Sequence, residues 1–426
     1  MPALRSRSAS RSAGLALLAL LALAGCEGRL RTNPLDPENP QTGGGPVGFV
    51  ALGDNAVVHL TWSGVPSNVQ IEGFLLERKT TGPDPFVPVT DVLPKSAQGF
   101  DDTDVVNDID YQYRFSYVLA NGEITGTPAL SEARPGPEIA WVADPGSDEV
   151  IRMTPDGRAR VFSIPNVRAV NRVAVQLSGG QIWATEPLDG RVRTWSVDGV
   201  ALNSFNGLSQ PNALAVDPTS LTAWICEELG PRVRRWTATG TVVASSGTIG
   251  LPTDVAVRGA GEAWVIDNAR GLLLRLDSSG AIADTIDVGS DPRRLAVDGL
   301  DGSVWVSRLT AGEVLHVSAA GQILARVPGL EKPYALDIDE YRDQVWVGLD
   351  GANAVQVLAR SDGAKRFRVE GILRPRGLVV LDRTGECWVL AIAAHELLRI
   401  NSGGVVESRF NGLSAPYDVR VDPGPR

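Results

Sequence analysis

The chain has 426 residues, 43% hydrophobic and 21% charged, which is a globular composition too long for one ordinary core. Its formal net charge is −10, and the first 25 residues hold three Arg and no acid, so the remainder is more acidic still. A surface of that sign repels phosphate backbones and excludes nucleic acid as the expected partner, while 46 Gly and 28 Pro favour many short strands over long helices.

The N-terminus reads as an address. Residues 1–14 are rich in Arg and Ser, and Leu15 to Ala24 is an unbroken apolar run of ten residues. A membrane-spanning helix needs about twenty, so the run with its basic lead-in is a secretory signal, and the lack of paired arginines points to the general secretion route. The run closes on Leu23-Ala24-Gly25-Cys26, which resembles the bacterial lipobox. The resemblance implies that residues 1–25 are a lipoprotein signal peptide, and that Cys26 takes a diacylglyceryl group and becomes the new N-terminus. The lipid would then hold the exported protein in the cell envelope. Glu27, where an Asp would favour inner-membrane retention, points to the outer membrane. Residues 26–43, with Pro34, Pro37 and Pro40 and few apolar side chains, are expected to form a flexible, unpacked tether.

From 44 to 135 the pattern alternates with period two. Val57 to Trp62, Gly73 to Lys79 and Tyr111 to Val118 read as strands, and Asn121-Gly122 as a hairpin signal. These residues resemble a fibronectin type III domain, in which Trp62 would fill the core and Tyr111 would bond back at a corner of the sandwich. His59 is expected as an exposed strand residue.

Beyond 138 the strongest signal is a recurring tryptophan. Trp141, Trp183, Trp224, Trp264, Trp305, Trp346 and Trp388 are spaced by 42, 41, 40, 41, 41 and 42 residues. A fixed period near 40 marks a propeller or an array. Each Trp is followed 15 to 17 residues later by a Gly (Gly157, Gly199, Gly240, Gly280, Gly321, Gly363, Gly403), expected at a hairpin turn with positive φ. Six prolines (Pro211, Pro252, Pro292, Pro333, Pro375, Pro416) each open an apolar strand. Four strands per repeat make a propeller blade, and no window between the turns keeps a helical period. The first repeat begins at its Trp strand and the chain finishes on a spare Pro-led strand, so the last strand is expected to close the ring in the first blade. The expected fold is all-β, a seven-bladed β-propeller over 138–426 preceded by a fibronectin type III-like β-sandwich. Cys226 and Cys387 fall in different repeats, so no disulfide is expected and both are read as buried strand residues.

The repeats resemble the NHL and streptogramin-lyase-like propellers, on units such as Ala256-Val257 and Trp264-Val265-Ile266-Asp267. Three and eleven residues after the Trp, repeats one, three and four carry an acid and an Arg (Asp144 with Arg152, Glu227 with Arg235, Asp267 with Arg275), and these are expected to be cross-strand ion pairs. Propeller ligands gather at one ring face, where loops leading into the Pro-led strands offer Asn212, Asp254, Arg293, Arg294, Tyr334, Arg376, Tyr417 and Asp418 as ligand-binding residues. Streptogramin lyases use a His and a Glu at that face. Here His395-Glu396 is the one such dipeptide in the propeller, and no second loop His completes the pattern. Gluconolactonase-like relatives bind a divalent metal, but no full ligand set assembles. No catalytic residue, metal site or cofactor is therefore assigned. The expected function is a membrane-anchored, non-enzymatic binding or scaffold lipoprotein that recognises protein or glycan through this loop face. The alternative is a propeller hydrolase or lyase.

Overall fold

A computed structural model describes residues 32–67, 69–176 and 180–422, so the expected signal peptide over 1–25 and Cys26 lie outside the described residues. Every element among the described residues is a β-strand. Contacts divide them into two units, one of 32–50, 60–100 and 111–132, the other of 51–59, 101–110 and 133–422.

In the first unit, Ile71–Thr80 and Tyr111–Leu119 pair antiparallel along their length, flanked by Val87–Pro88, Leu93–Pro94 and Ala129–Ala133. Trp62 stacks on Phe115 at 4.8 Å and meets Phe74 edge-on at 5.2 Å, while its indole N–H donates to the Ala97 carbonyl at 3.1 Å. Tyr111 carries the Arg78 guanidinium over its ring at 5.2 Å. The reading of residues 26–43 as an unpacked tether does not hold from Asn33 onward. The Asn39 amide donates to the Asn33 carbonyl at 2.9 Å, the Thr42 hydroxyl to the Pro34 carbonyl at 2.6 Å, and Asn39 is only 6% exposed. Asn, Pro and Thr order this stretch through local turn bonds, which need no apolar core.

The second unit holds seven four-stranded antiparallel sheets among the described residues. In the second of these, Val173–Gln176, Gln181–Glu186, Arg191–Ser196 and Ala201–Asn206 run from the inside outward. The first sheet draws three strands from Ile139–Asp144, Glu149–Met153 and Arg160–Ile164, and its innermost from Asp418–Asp422. There Val419 sits opposite Val142. The strand expected to open at Pro416 starts two residues later, because Tyr417 instead donates its amide to the Ala143 carbonyl at 2.9 Å. The inner strands touch in succession: Val173–Gln176, Pro211–Asp217, Pro252–Gly259, Pro292–Val297, Pro333–Asp339, Pro375–Val380, Asp418–Asp422, then Val173–Gln176 again.

Each recurring tryptophan is fully buried between its own sheet and the next. Trp224 packs with Val255, Ala263, Val265 and Leu274 of the following sheet, and Trp264 with Leu295, Val304, Val306 and Leu315. The series closes on Trp388, which packs against Ala140, Val142, Ile151 and Met153 of the first sheet. Cys226 and Cys387 are free, buried strand residues whose thiols burial pushes well up.

Two expectations need correction. The residue eleven after each Trp lies opposite the Trp itself (Trp141 with Arg152, Trp224 with Arg235, Trp264 with Arg275), because the connecting turn is shorter than assumed. The acid three after the Trp serves the crossover between sheets instead. Asp144 accepts the amides of Ser414 and Ala415 at 2.7 Å each, Glu227 that of Ser209 at 2.9 Å, and Asp267 those of Gly250 and Leu251 at 2.8 and 3.0 Å. In the seventh sheet the positive-φ glycine is Gly404 (φ 89°), not Gly403, since the turn keeps its distance from Trp388. A Cβ on Gly404 would lie 2.8 Å from the Phe367 ring, whereas one on Gly403 would meet only the Asn401 side chain at 3.4 Å.

Gly404→Ala is therefore expected to destabilise the protein by about 1–3 kcal/mol while Gly403→Ala costs less than about 0.5 kcal/mol, read as urea midpoints. Equal losses would contradict the assigned turn. Trp264→Ala, which empties the space between two sheets, is expected to cost about 3–5 kcal/mol in the same assay.

Candidate functional site

The ladder slips where the inner strands begin. Pairing jumps from Pro211 to Ala213, Pro252 to Asp254, Pro292 to Arg294, Pro333 to Leu336 and Pro375 to Gly377. Proline cannot donate to the ladder, and the bulge that follows re-aims the next side chains. Asn212, Arg293, Tyr334 and Arg376 are among the skipped residues, and Asp254 and Arg294 among those that resume pairing. The repeated Pro thus does more than open a strand: it turns a variable pair of residues toward one end of the ring.

The hub of that end is Arg172, which is 4% exposed. Its guanidinium donates to Asp418 at 3.0 Å and to Asp254 at 3.0 Å, and these carboxylates also take the Val173 amide at 3.2 Å and the Leu295 amide at 3.0 Å. Burial works against the charge of Arg172, but Asp418 and Asp254 outweigh it and raise its pKa. Arg172 ties together three inner strands, its own and those of two other sheets. It escaped the sequence reading because its strand has no leading Pro. Superposing Arg172-Val173-Ala174-Val175 on Asp254-Val255-Ala256-Val257 would have found it.

A second cluster adjoins the hub. Tyr334 lies between two guanidinium groups, with Arg294 at 4.9 Å and Arg376 at 4.8 Å from its ring centroid. Its hydroxyl accepts from Arg294 at 3.4 Å and lies 3.5 Å from that of Tyr417. Burial raises the Tyr334 hydroxyl, whereas at Tyr417 the neighbouring Arg294 and Arg172 outweigh burial and lower it. Arg376 donates to Asp350 at 2.9 and 3.0 Å. Six of the eight expected residues (Asp254, Arg294, Tyr334, Arg376, Tyr417, Asp418) thus join one network with Arg172. The other two stay outside it. Arg293 pairs with Asp291 at 2.8 Å, and Asn212 donates to Glu228 at 3.2 Å and to the Pro252 carbonyl at 3.3 Å.

Behind the hub runs a cavity of about 1050 Å³ along the ring axis, lined by the inner strands. Asp337 faces into it and accepts the Val380 amide at 2.8 Å. Enclosure by protein pushes this carboxyl up to about 6, with the Val380 amide and Arg420 opposing the shift.

The histidines are placed apart. His316 stacks on Trp305 at 4.4 Å, meets Ser303 at 2.9 Å and is lowered by burial. His59 is a partly exposed strand residue 2.8 Å from Asp101. His395 is exposed in a tight turn (φ 59°), and its neighbour Glu396 is held by Arg409 at 3.0 Å. Among the described residues no three His, Cys, Asp or Glu side chains gather as a metal site would require.

Arg172→Met would leave buried Asp254 without its cation and Asp418 with Arg420 alone, so a loss of about 3–5 kcal/mol in urea unfolding is expected at pH 7. Asp337 carries the opposite sign. Its folded pKa lies above that of an unfolded carboxyl, so its contribution to stability is complete below about pH 4 and is lost as pH rises through about 6. Asp337→Asn should raise the melting temperature at pH 7.5 and much less at pH 4.5. An equal gain at both values would show an ordinary carboxyl.

No family model and no curated protein matches the chain. Solved structures do. A functionally unknown protein from Desulfotomaculum acetoxidans DSM 771 superposes with a TM-score of 0.60 at 14% identity, over 67% of this chain and 99% of that one. A streptogramin B lyase superposes with a TM-score of 0.51 at 16% identity, over 59% and 86%. The virginiamycin B lyase of Staphylococcus aureus gives 0.50 at 15%, over 58% and 86%. At these identities the likeness is one of fold: the repeated four-stranded sheets of this chain form a β-propeller.

Proposed function

We propose that this protein is a membrane-anchored, non-enzymatic binding or scaffold lipoprotein of the cell envelope. In this reading a seven-bladed NHL-like propeller over 138–426 is preceded in the chain by a fibronectin type III-like module over 44–135, and presents the leading end of its inner strands to a protein or glycan. The lipid on Cys26 anchors it, with the outer membrane as its location. The observation that supports the reading is the Arg294–Tyr334–Arg376 stack. Two planar cations laid on an aromatic ring form a rigid, amphipathic surface of the kind that dominates protein and sugar recognition. Its neighbouring acids, Asp254 and Asp418, are buried in bonds to Arg172 and do not compete for a partner. The likeness to streptogramin and virginiamycin lyases keeps a hydrolase or lyase as the alternative, with His395 its candidate base.

The test is crosslinking capture from intact membranes. The Arg294→Ala, Arg376→Ala pair should lose at least tenfold of the captured partner and His395→Ala none. Unchanged capture by the double variant would overturn the face assignment, and turnover lost on His395→Ala would favour the alternative. Cys26→Ser should move the protein from the membrane to the soluble fraction, and a variant that stays membrane-bound would contradict the lipid anchor.

A further inference from the structure

The inner strands carry a second pattern, one step deeper than the leading end. Counting the leading Pro of each repeat as one, with Val170 in the equivalent place before Val173–Gln176, the fifth positions run Ala174, Ala215, Ala256, Ala296, then Asp337, Val379 and Arg420. All seven line the axial cavity. Four successive sheets therefore offer a methyl group, and the opposite arc offers one acid and one cation separated by Val379. A cavity of about 1050 Å³ is at the upper end of ordinary ligand sites (roughly 300–1,000 Å³).

Charge balance decides what fits. Arg420 lies 3.3 Å from Asp418, and Arg172 spans Asp418 and Asp254, so these two cations and two carboxylates neutralise one another. No side-chain cation is bonded to Asp337 among the described residues; the bond to its carboxylate comes from the Val380 amide. Around it the wall is apolar or neutralised except at Arg294, and its own carboxyl carries a desolvation cost that an incoming cation would relieve. Access is from the trailing end of the inner strands. The leading end is stopped by the buried Arg172, Asp254, Asp418 and Tyr334, whereas at the trailing end Tyr341 is 70% exposed, with Pro218, Thr219 and Asp382 exposed around it. An arriving cation meets an aromatic face and an acid there. Arg294, which lines the cavity without a carboxylate of its own, is at the stopped end and lies against Tyr334.

We propose that the axial cavity binds a small organic cation, a primary amine on a slender apolar body, with its ammonium on Asp337 and its hydrocarbon against the alanine arc. The ammonium position at Asp337 is one step deeper than the partner face, whose Arg294 and Arg376 also line the cavity, so hexylamine binding lost with partner capture kept, or the reverse, tells the two readings apart. Calorimetric titration of the full-length chain with n-hexylamine, n-hexanol and hexanoate at pH 7.5 tests it. Hexylamine should bind one to one and at least tenfold more tightly than the other two. Asp337→Asn should weaken it at least tenfold, with Glu370→Gln, an exposed change remote from the axis, as the unaffected control. Ala256→Leu narrows the cavity without touching the charge and should also lose hexylamine, which keeps the test decisive if Asp337→Asn does not fold. Hexanoate binding as tightly as hexylamine, or hexylamine retained by Asp337→Asn or by Ala256→Leu, would overturn the assignment.

Discussion

An indole leaves water fully only when both of its faces are covered, and one four-stranded sheet can cover only one. The second unit is built on that constraint. Each tryptophan stands on its own sheet and needs the next sheet for its other face, so no sheet is complete by itself. Other repeated features serve the same joints. The acid three residues after the Trp accepts amides of the incoming crossover, and the positive-φ glycine lets a turn approach the neighbouring sheet. Gly157 shows how closely, since a Cβ there would fall 2.7 Å from the Trp388 ring.

Because packing is settled between sheets, the two ends of the inner strands are free to vary. The leading end uses that freedom twice. At the hub, an arginine and two aspartates from three separate sheets are spent on one another, which fixes the ring from within. Beside it, arginines and tyrosines remain partly or wholly outside ion pairs and stack instead. The contrast has a physical origin. A carboxylate and a guanidinium removed from water must pair, whereas a guanidinium on an aromatic ring keeps donors available at its edge.

How legible this was depended on whether a feature is periodic. The tryptophans, prolines and glycines repeat, so the sheets and the joining of the chain's two ends could be read from spacing. Register could not. Asp144 and Arg152 have the right charges for a pair, and only the length of the turn decides that Arg152 faces Trp141 instead. Arg172 was hidden because its strand lacks the proline that marked the others. Asp337 was hidden because it stands where four of the other repeats have alanine, a departure visible only when repeats are laid over one another by their strand residues. Order in 33–43 was missed because it rests on side-chain bonds to nearby carbonyls, which hydrophobic pattern does not register.

The first sheet receives its innermost strand from Asp418–Asp422, at the far end of the sequence. A chain made from its N-terminus therefore carries Ile139–Asp144 with a bare ladder edge until Asp418–Asp422 has emerged. During that interval the backbone amides and carbonyls of Ile139–Asp144 can join any extended segment that passes. Such a ring stays open to edge-to-edge pairing until Asp418–Asp422 covers that strand, so its folding is exposed to misassembly for as long as the two segments are apart.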